Sequence, residues 1–173
     1  MTRLVVDTSA LISLSYSGRL KGVCAHFEIN IPSSVKDELK EMAVYSDHLS
    51  KMAKESLALI TQKKIRLHDK KITTYSDRHI TPKIDHGEAA CFELALVQKI
   101  PHLILDDISA AHGLSVSPFS KKIDLKLSVA LLVSLHTQKK ITKSELQKSL
   151  RAMIQNRKWG KSAMERAIQK YFD

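Results

Sequence analysis

The stretch LVVDTSALISL, residues 4–14, changes character halfway along. Leu4-Val5-Val6 is a short β-branched run of strand type. From Ala10 the chain reads as a helix, ending at Leu20 before the turn-like Lys21-Gly22. Asp7 stands between the two, at the carboxyl end of the strand. Its bland account is an N-cap for the helix, a role that Thr8 or Ser9 could also fill.

The same alternation continues outward. Glu28–Ile31 reads as a second strand closed by Pro32, and Ser33 or Ser34 as the cap of a helix running to about Ala43. Tyr45–Lys63 reads as a helix with Leu49, Met52, Ala53, Leu57 and Ile60 on one face. Ile65–Leu67 is a short strand, 70–83 a loop, Asp85–Lys99 a helix and His102–Leu105 a strand. A short helix over Ile108–His112, a strand over Ser115–Ser117 and helices over 123–137, 142–155 and 161–172 complete the expectation. Strands alternating with helices at this spacing predict a three-layer α/β/α sandwich around a parallel sheet, followed by C-terminal helices. Such sheets bind ligands beyond the carboxyl ends of their strands.

Acids accumulate at that edge. Glu38 adjoins the apolar face formed by Val35, Leu39 and Met42, where a carboxylate is costly to desolvate unless paired. Asp37 could close a capping box with Ser34. Asp85-x-x-Glu88 has the spacing of another such box, which needs no catalytic explanation. Glu88 would nevertheless point back towards the strand ends. Asp106 and Asp107 follow the strand Leu103-Ile104-Leu105, and only one of them can cap the helix after it. Carboxylates gathered within a few Å repel one another, and a divalent cation removes the conflict. All-oxygen sites favour Mg²⁺ or Mn²⁺. Such an ion can activate a nucleophile and stabilise the charge of a phosphodiester under attack.

The charge balance points the same way. The chain of 173 residues carries a net charge of +10, but 13 of its basic and only 4 of its acidic residues lie between Lys121 and Asp173. A neutral body with a basic region suggests a polyanionic partner, most simply nucleic acid. With 43% hydrophobic and 27% charged residues the chain is neither disordered nor fibrous. Leu127–Leu135, the longest uncharged apolar stretch of the basic region, falls far short of a bilayer span, so no membrane partner is expected. The N-terminus lacks the marks of a signal peptide. Cys24 and Cys91 form no metal-ligand pair and fit a reducing cytoplasm. No glycine-rich phosphate loop is present.

VVDTSALISL, IPSSVKDELKEM, DHGEAACFELAL and LILDDISAAHGL, in this order and spacing, resemble the PIN-domain family over roughly Arg3 to Leu135, and most closely PIN proteins related to VapC-type toxins. The resemblance implies a PIN-like domain over residues 1–137, a basic helical extension over 138–173, and a metal-dependent ribonuclease using Mg²⁺ or Mn²⁺. Carried over by position, Asp7, Glu38, Glu88 and Asp107 would be the metal-binding and catalytic acids. Asp106 is a neighbour that could share the metal, and Thr8 and Ser9 would donate hydrogen bonds to the acids. An antitoxin protein and a homodimer are partners that the family implies.

Lys139, Lys140, Arg157 and Lys158 are the candidates for holding RNA, although lysines on helix faces are usually just solvated. Trp159 reads as an anchor for the last helix more than as a base-stacking platform. His86 and His112 match no metal-ligand spacing. The competing readings are a PIN-fold module that binds RNA without cutting it, and a structural subunit docking through the basic region.

Overall fold

The computed structural model describes residues 1–69, 84–116 and 120–172. Its five strands are β1 (Thr2–Val6), β2 (Phe27–Pro32), β3 (Ile65–His68), β4 (His102–Ile104) and β5 (Asp124–Lys126). They form one sheet in the order β3-β2-β1-β4-β5, with every pairing parallel. β1 is central and covered on both faces, which explains its unbroken apolar run: Leu4, Val5 and Val6 are all buried.

The described helices are α1 (Thr8–Tyr16), α2 (Leu20–His26), α3 (Ser33–Ala43), α4 (His48–Thr61), α5 (His86–Val97), α6 (Ile108–Ser115), α7 (Ser128–Thr137), α8 (Lys143–Asn156) and α9 (Ala163–Gln169). Right-handed crossovers put the helices after β1 and β2 on one face and those after β3 and β4 on the other. Packing agrees: α5 lies on β1, β2 and β4, whereas α1 contacts α3, α4, α7 and α8. The result is the expected α/β/α sandwich.

Three local expectations are corrected. The helix expected over 10–20 is two helices, broken at Ser17-Gly18. Gly18 takes a φ of +69°, open to glycine at little cost, while Gly22 lies inside α2. The last strand is Asp124–Lys126 and not Ser115–Ser117: Ser115 ends α6, and Ser117 lies outside the described residues, as does the loop expected over 70–83. The helix expected from Ile123 therefore begins only at Ser128. Finally, neither Ser33 nor Ser34 caps α3. Both are already helical behind Pro32, and Asp37 pairs with Lys40 instead, at 3.1 Å.

The basic helices are packed onto the body. α8 buries Leu146, Leu150 and Met153 in the same core as the sheet. Its start is fixed by Arg19, whose guanidinium bonds Glu145 at 2.9 Å and Ser149 Oγ at 3.3 Å. α7 leaves the carboxyl edge of the sheet, and α8 returns over about 21 Å for its 14 residues. Several helices end in Schellman turns with a lysine in the left-handed position, as at Lys63, Lys139 and Lys158. There the positive charge favours the helix C-terminus. Among the described residues no helix is long and apolar enough to cross a membrane.

Candidate active site

Strand order changes direction at β1, with β2 on one side and β4 on the other, and the crevice beyond this pair is the usual ligand site of such a sheet. Asp7 follows β1 and Asp106-Asp107 follow β4. A cavity of about 280 Å³ opens here, and Asp7, Glu38, Asp85, Glu88 and Asp107 all line it.

Asp7 is only 5% exposed. It is the N-cap of α1: Oδ1 accepts from the Ala10 N–H and Oδ2 from the Ser9 hydroxyl, each at 2.8 Å. The Ser9 oxygen in turn accepts from the Asp106 N–H at 3.3 Å, tying the two strand ends together. Burial pushes the Asp7 carboxyl up to about 7. The charges of Asp106 and Glu88 add to the rise, and the Ala10 and Ser9 hydrogen bonds oppose it.

Glu38 sits between buried Val35 and Leu39 on α3, and its Oε2 accepts from the Thr8 hydroxyl. Burial raises its pKa against the pull of Thr8, and the charges of Asp85 and Glu41 raise it further. α5 passes close to Glu38 at Gly87: a Cβ there would collide with Glu38 Oε1 and force the carboxylate to move.

Asp85 and Glu88 form the anticipated capping box. Asp85 Oδ1 accepts from the Glu88 N–H at 2.8 Å, and Glu88 Oε2 accepts from the Asp85 N–H at 3.0 Å. The structural role and a place on the cavity wall coexist. Burial pushes Glu88 up to about 7, helped by the charges of Asp85, Asp107 and Glu38.

The two adjacent acids divide. Asp107 is exposed, caps α6 through Ala110 N–H at 2.9 Å, and lines the cavity. Asp106 is buried and turned away. Its Oδ1 accepts from the Ser128 N–H at 2.8 Å and its Oδ2 from the Ser128 hydroxyl at 2.7 Å. It thereby caps α7 from a distance, since Leu127 at the head of that helix offers no side-chain acceptor. Of the pair, only Asp107 is brought into the cavity.

Among the described residues no group of three or more His, Cys, Asp or Glu side chains is placed to hold a metal ion. Both oxygens of Asp7 are engaged, by Ala10 and Ser9, while Glu88 and Asp107 each have one oxygen engaged at a helix start and Glu38 has one engaged by Thr8. The donors are all carboxylates, however, and Mg²⁺ characteristically keeps several waters while binding through one or two carboxylates. The cavity has room for several waters at about 30 Å³ each, and Gly87 keeps space beside Glu38. The all-carboxylate lining is chemically compatible with a hydrated divalent cation, without forming a ready-made cage for one.

The four basic candidates separate as well. Arg157, at the end of α8, lines the cavity, with exposed Lys158 beside it. Lys139 and Lys140 follow α7 at the opposite end of the sheet. Trp159 packs against the core, while His86 and His112 are exposed and do not line the cavity. Two residues that shape the site escaped the sequence reading. Gly87 carries no sequence signal, since its role depends on a helix some fifty residues away. Ser128 was masked by beginning its helix five residues too early.

A family model described as a PIN domain matches residues 3–172, a span that includes the basic helices. No curated protein and no solved structure matches the chain.

Proposed function

The chain belongs to the PIN-domain family, whose members are in general nucleases, and on that premise we propose that it is a metal-dependent endoribonuclease. The observation that carries this reading is Asp7: a buried carboxylate at the switch point of the sheet, in one cavity with Glu38, Glu88 and Asp107. Four acids gathered there are costly without a cation, and PIN domains typically use divalent metal ions. Asp7, Glu38, Glu88 and Asp107 would hold Mg²⁺ or Mn²⁺. When bound, the ion supplies Lewis-acid charge and an activated water for phosphodiester hydrolysis.

The chain's own groups prepare that chemistry. Ser9 orients Asp7 and Thr8 orients Glu38, fixing the direction of their remaining lone pairs. Asp106 is held away by Ser128, leaving Asp107 as the acid presented after β4. The basic helices supply non-specific attraction for the RNA backbone. Resemblance to VapC-type toxins extends the reading to a toxin held in check by an antitoxin.

The test is cleavage of labelled RNA in Mn²⁺, Mg²⁺ or EDTA by the wild type and by Asp7→Asn. Metal-dependent cleavage lost in the variant supports the proposal. Salt-sensitive RNA binding with no cleavage in any metal would replace it with a non-catalytic RNA-binding module. Growth arrest on expression, absent with Asp7→Asn, would support the toxin role.

A further inference from the structure

Arg157 is the one cationic side chain that lines the acidic cavity among the described residues. Its position is built from both ends of α8. Arg19 fixes the start of the helix, and Leu146, Leu150 and Met153 clamp its length to the core. At the far end the Arg157 N–H bonds the Met153 carbonyl at 2.9 Å. Lys158 then turns the chain with a φ of 54°, placing the Trp159 ring 5.9 Å from the Arg157 guanidinium carbon. That distance permits a cation–π contact.

The guanidinium nevertheless lacks a charged partner. Its Nε is buried with no hydrogen-bond partner. No carboxylate among the described residues comes within ion-pairing distance, although five acids share the cavity wall. That orphaned Nε costs stability where it stands, while the rest of the fork lines the cavity with no carboxylate paired to it, open to an acceptor that arrives from outside. Carboxylates that would hold a cation fill one part of the wall, and a planar fork of donors fills another. The group that complements both is a phosphate, which guanidinium binds through two parallel hydrogen bonds.

Building on the ribonuclease reading, we propose that Arg157 binds the phosphate of the substrate RNA that sits in this cavity, making the last turn of α8 part of the active site. Arg157 donates to a non-bridging phosphate oxygen. Trp159 holds the guanidinium plane.

The experiment compares wild type, Arg157→Ala, Arg157→Lys and Lys21→Ala. Calorimetry measures Mn²⁺ affinity and then the binding of inorganic phosphate to the Mn²⁺-loaded protein. Steady-state RNA cleavage is followed in parallel. Arg157→Ala should weaken phosphate binding about tenfold and lower kcat/KM by about 10²-fold, the scale for losing one preorganised donor. Mn²⁺ affinity should hold or rise, because a positive charge has left the cavity. Arg157→Lys should restore part of both losses, and Lys21→Ala, an exposed site on α2 away from the cavity, should match the wild type. Phosphate binding and kcat/KM unchanged in Arg157→Ala would overturn the proposal. So would a loss of Mn²⁺ affinity and melting temperature large enough to account for the rest, which would make Arg157 merely structural. A wild type that cleaves no RNA in any metal would instead sink the ribonuclease reading, and the phosphate-binding comparison would still decide the role of Arg157.

Discussion

Asp7→Asn should make the metal-free protein more stable at pH 8 and leave it near wild type at pH 4. Burial raises the Asp7 carboxyl from 3.8 to about 7. The folded state therefore holds this proton more tightly than the unfolded chain. Stability from that preference is complete below 3.8 and is lost as pH rises to about 7. At about 1.4 kcal/mol per pH unit, the loss has a ceiling on the order of 4 kcal/mol. Asn keeps the cap: its carbonyl oxygen accepts from the Ala10 N–H, and its amide donates to Ser9 once that hydroxyl rotates. Unfolding in EDTA, followed by circular dichroism at pH 4 and pH 8, reads the difference. A gain of a few kcal/mol at pH 8 corresponds to a rise in Tm of several degrees for a chain of this size. Adding Mn²⁺ at pH 8 should stabilise the wild type more than the variant and narrow the gap. If Asp7→Asn is instead less stable than wild type at pH 8 in EDTA, the ionised carboxylate is a net stabilising cap. The picture of a strained, metal-seeking cavity then falls.

Three further outcomes follow from the same geometry. Mn²⁺ affinity measured by calorimetry should rise with pH through about 7, because protons held by Asp7 and Glu88 compete with the metal; a flat profile from pH 5.5 to 8.5 would contradict this. Ser128→Ala removes a hydrogen bond to the buried Asp106 carboxylate and should cost about 1.5–3 kcal/mol in urea unfolding, with RNA cleavage close to wild type. Gly87→Ala should displace Glu38 and lower cleavage at least tenfold, whereas Gly22→Ala, with nothing near its new Cβ, should gain up to about 1 kcal/mol in stability and leave cleavage alone.

The parts of the fold that were legible in the sequence are those whose signal is local. β1 carries its apolar run, Asp7 its cap and Asp85-x-x-Glu88 its box, so three of the carboxylates lining the cavity could be placed at one sheet edge. β5 was lost because it has three residues with charged side chains on either side of Leu125, and only pairing with β4 makes it a strand. Its signal was the alternation Ile123, Leu125, Leu127, which a helical reading absorbed. The division of labour between Asp106 and Asp107 depends on Ser128, and the arrival of Arg157 depends on how α8 is anchored at Arg19. Those are contacts between distant segments, and neither periodicity nor capping rules reach them.

The central position of β1 also sets an order of assembly. Leu4 pairs with Ile29 on one side and with His102 on the other, so the second closure spans a loop about four times longer. That costs roughly 1 kcal/mol more in chain entropy and favours β1–β2 docking before β1–β4. Until β4 docks, the Asp106 amide cannot reach Ser9, and Asp7 and Asp107 remain apart in water. The acids meet late in folding, after the half of the sheet that carries Asp7 and Glu38 has formed. The electrostatic cost of the cavity then falls on the last steps. We expect a divalent cation to act chiefly by slowing unfolding, while leaving the rate of the first collapse unchanged.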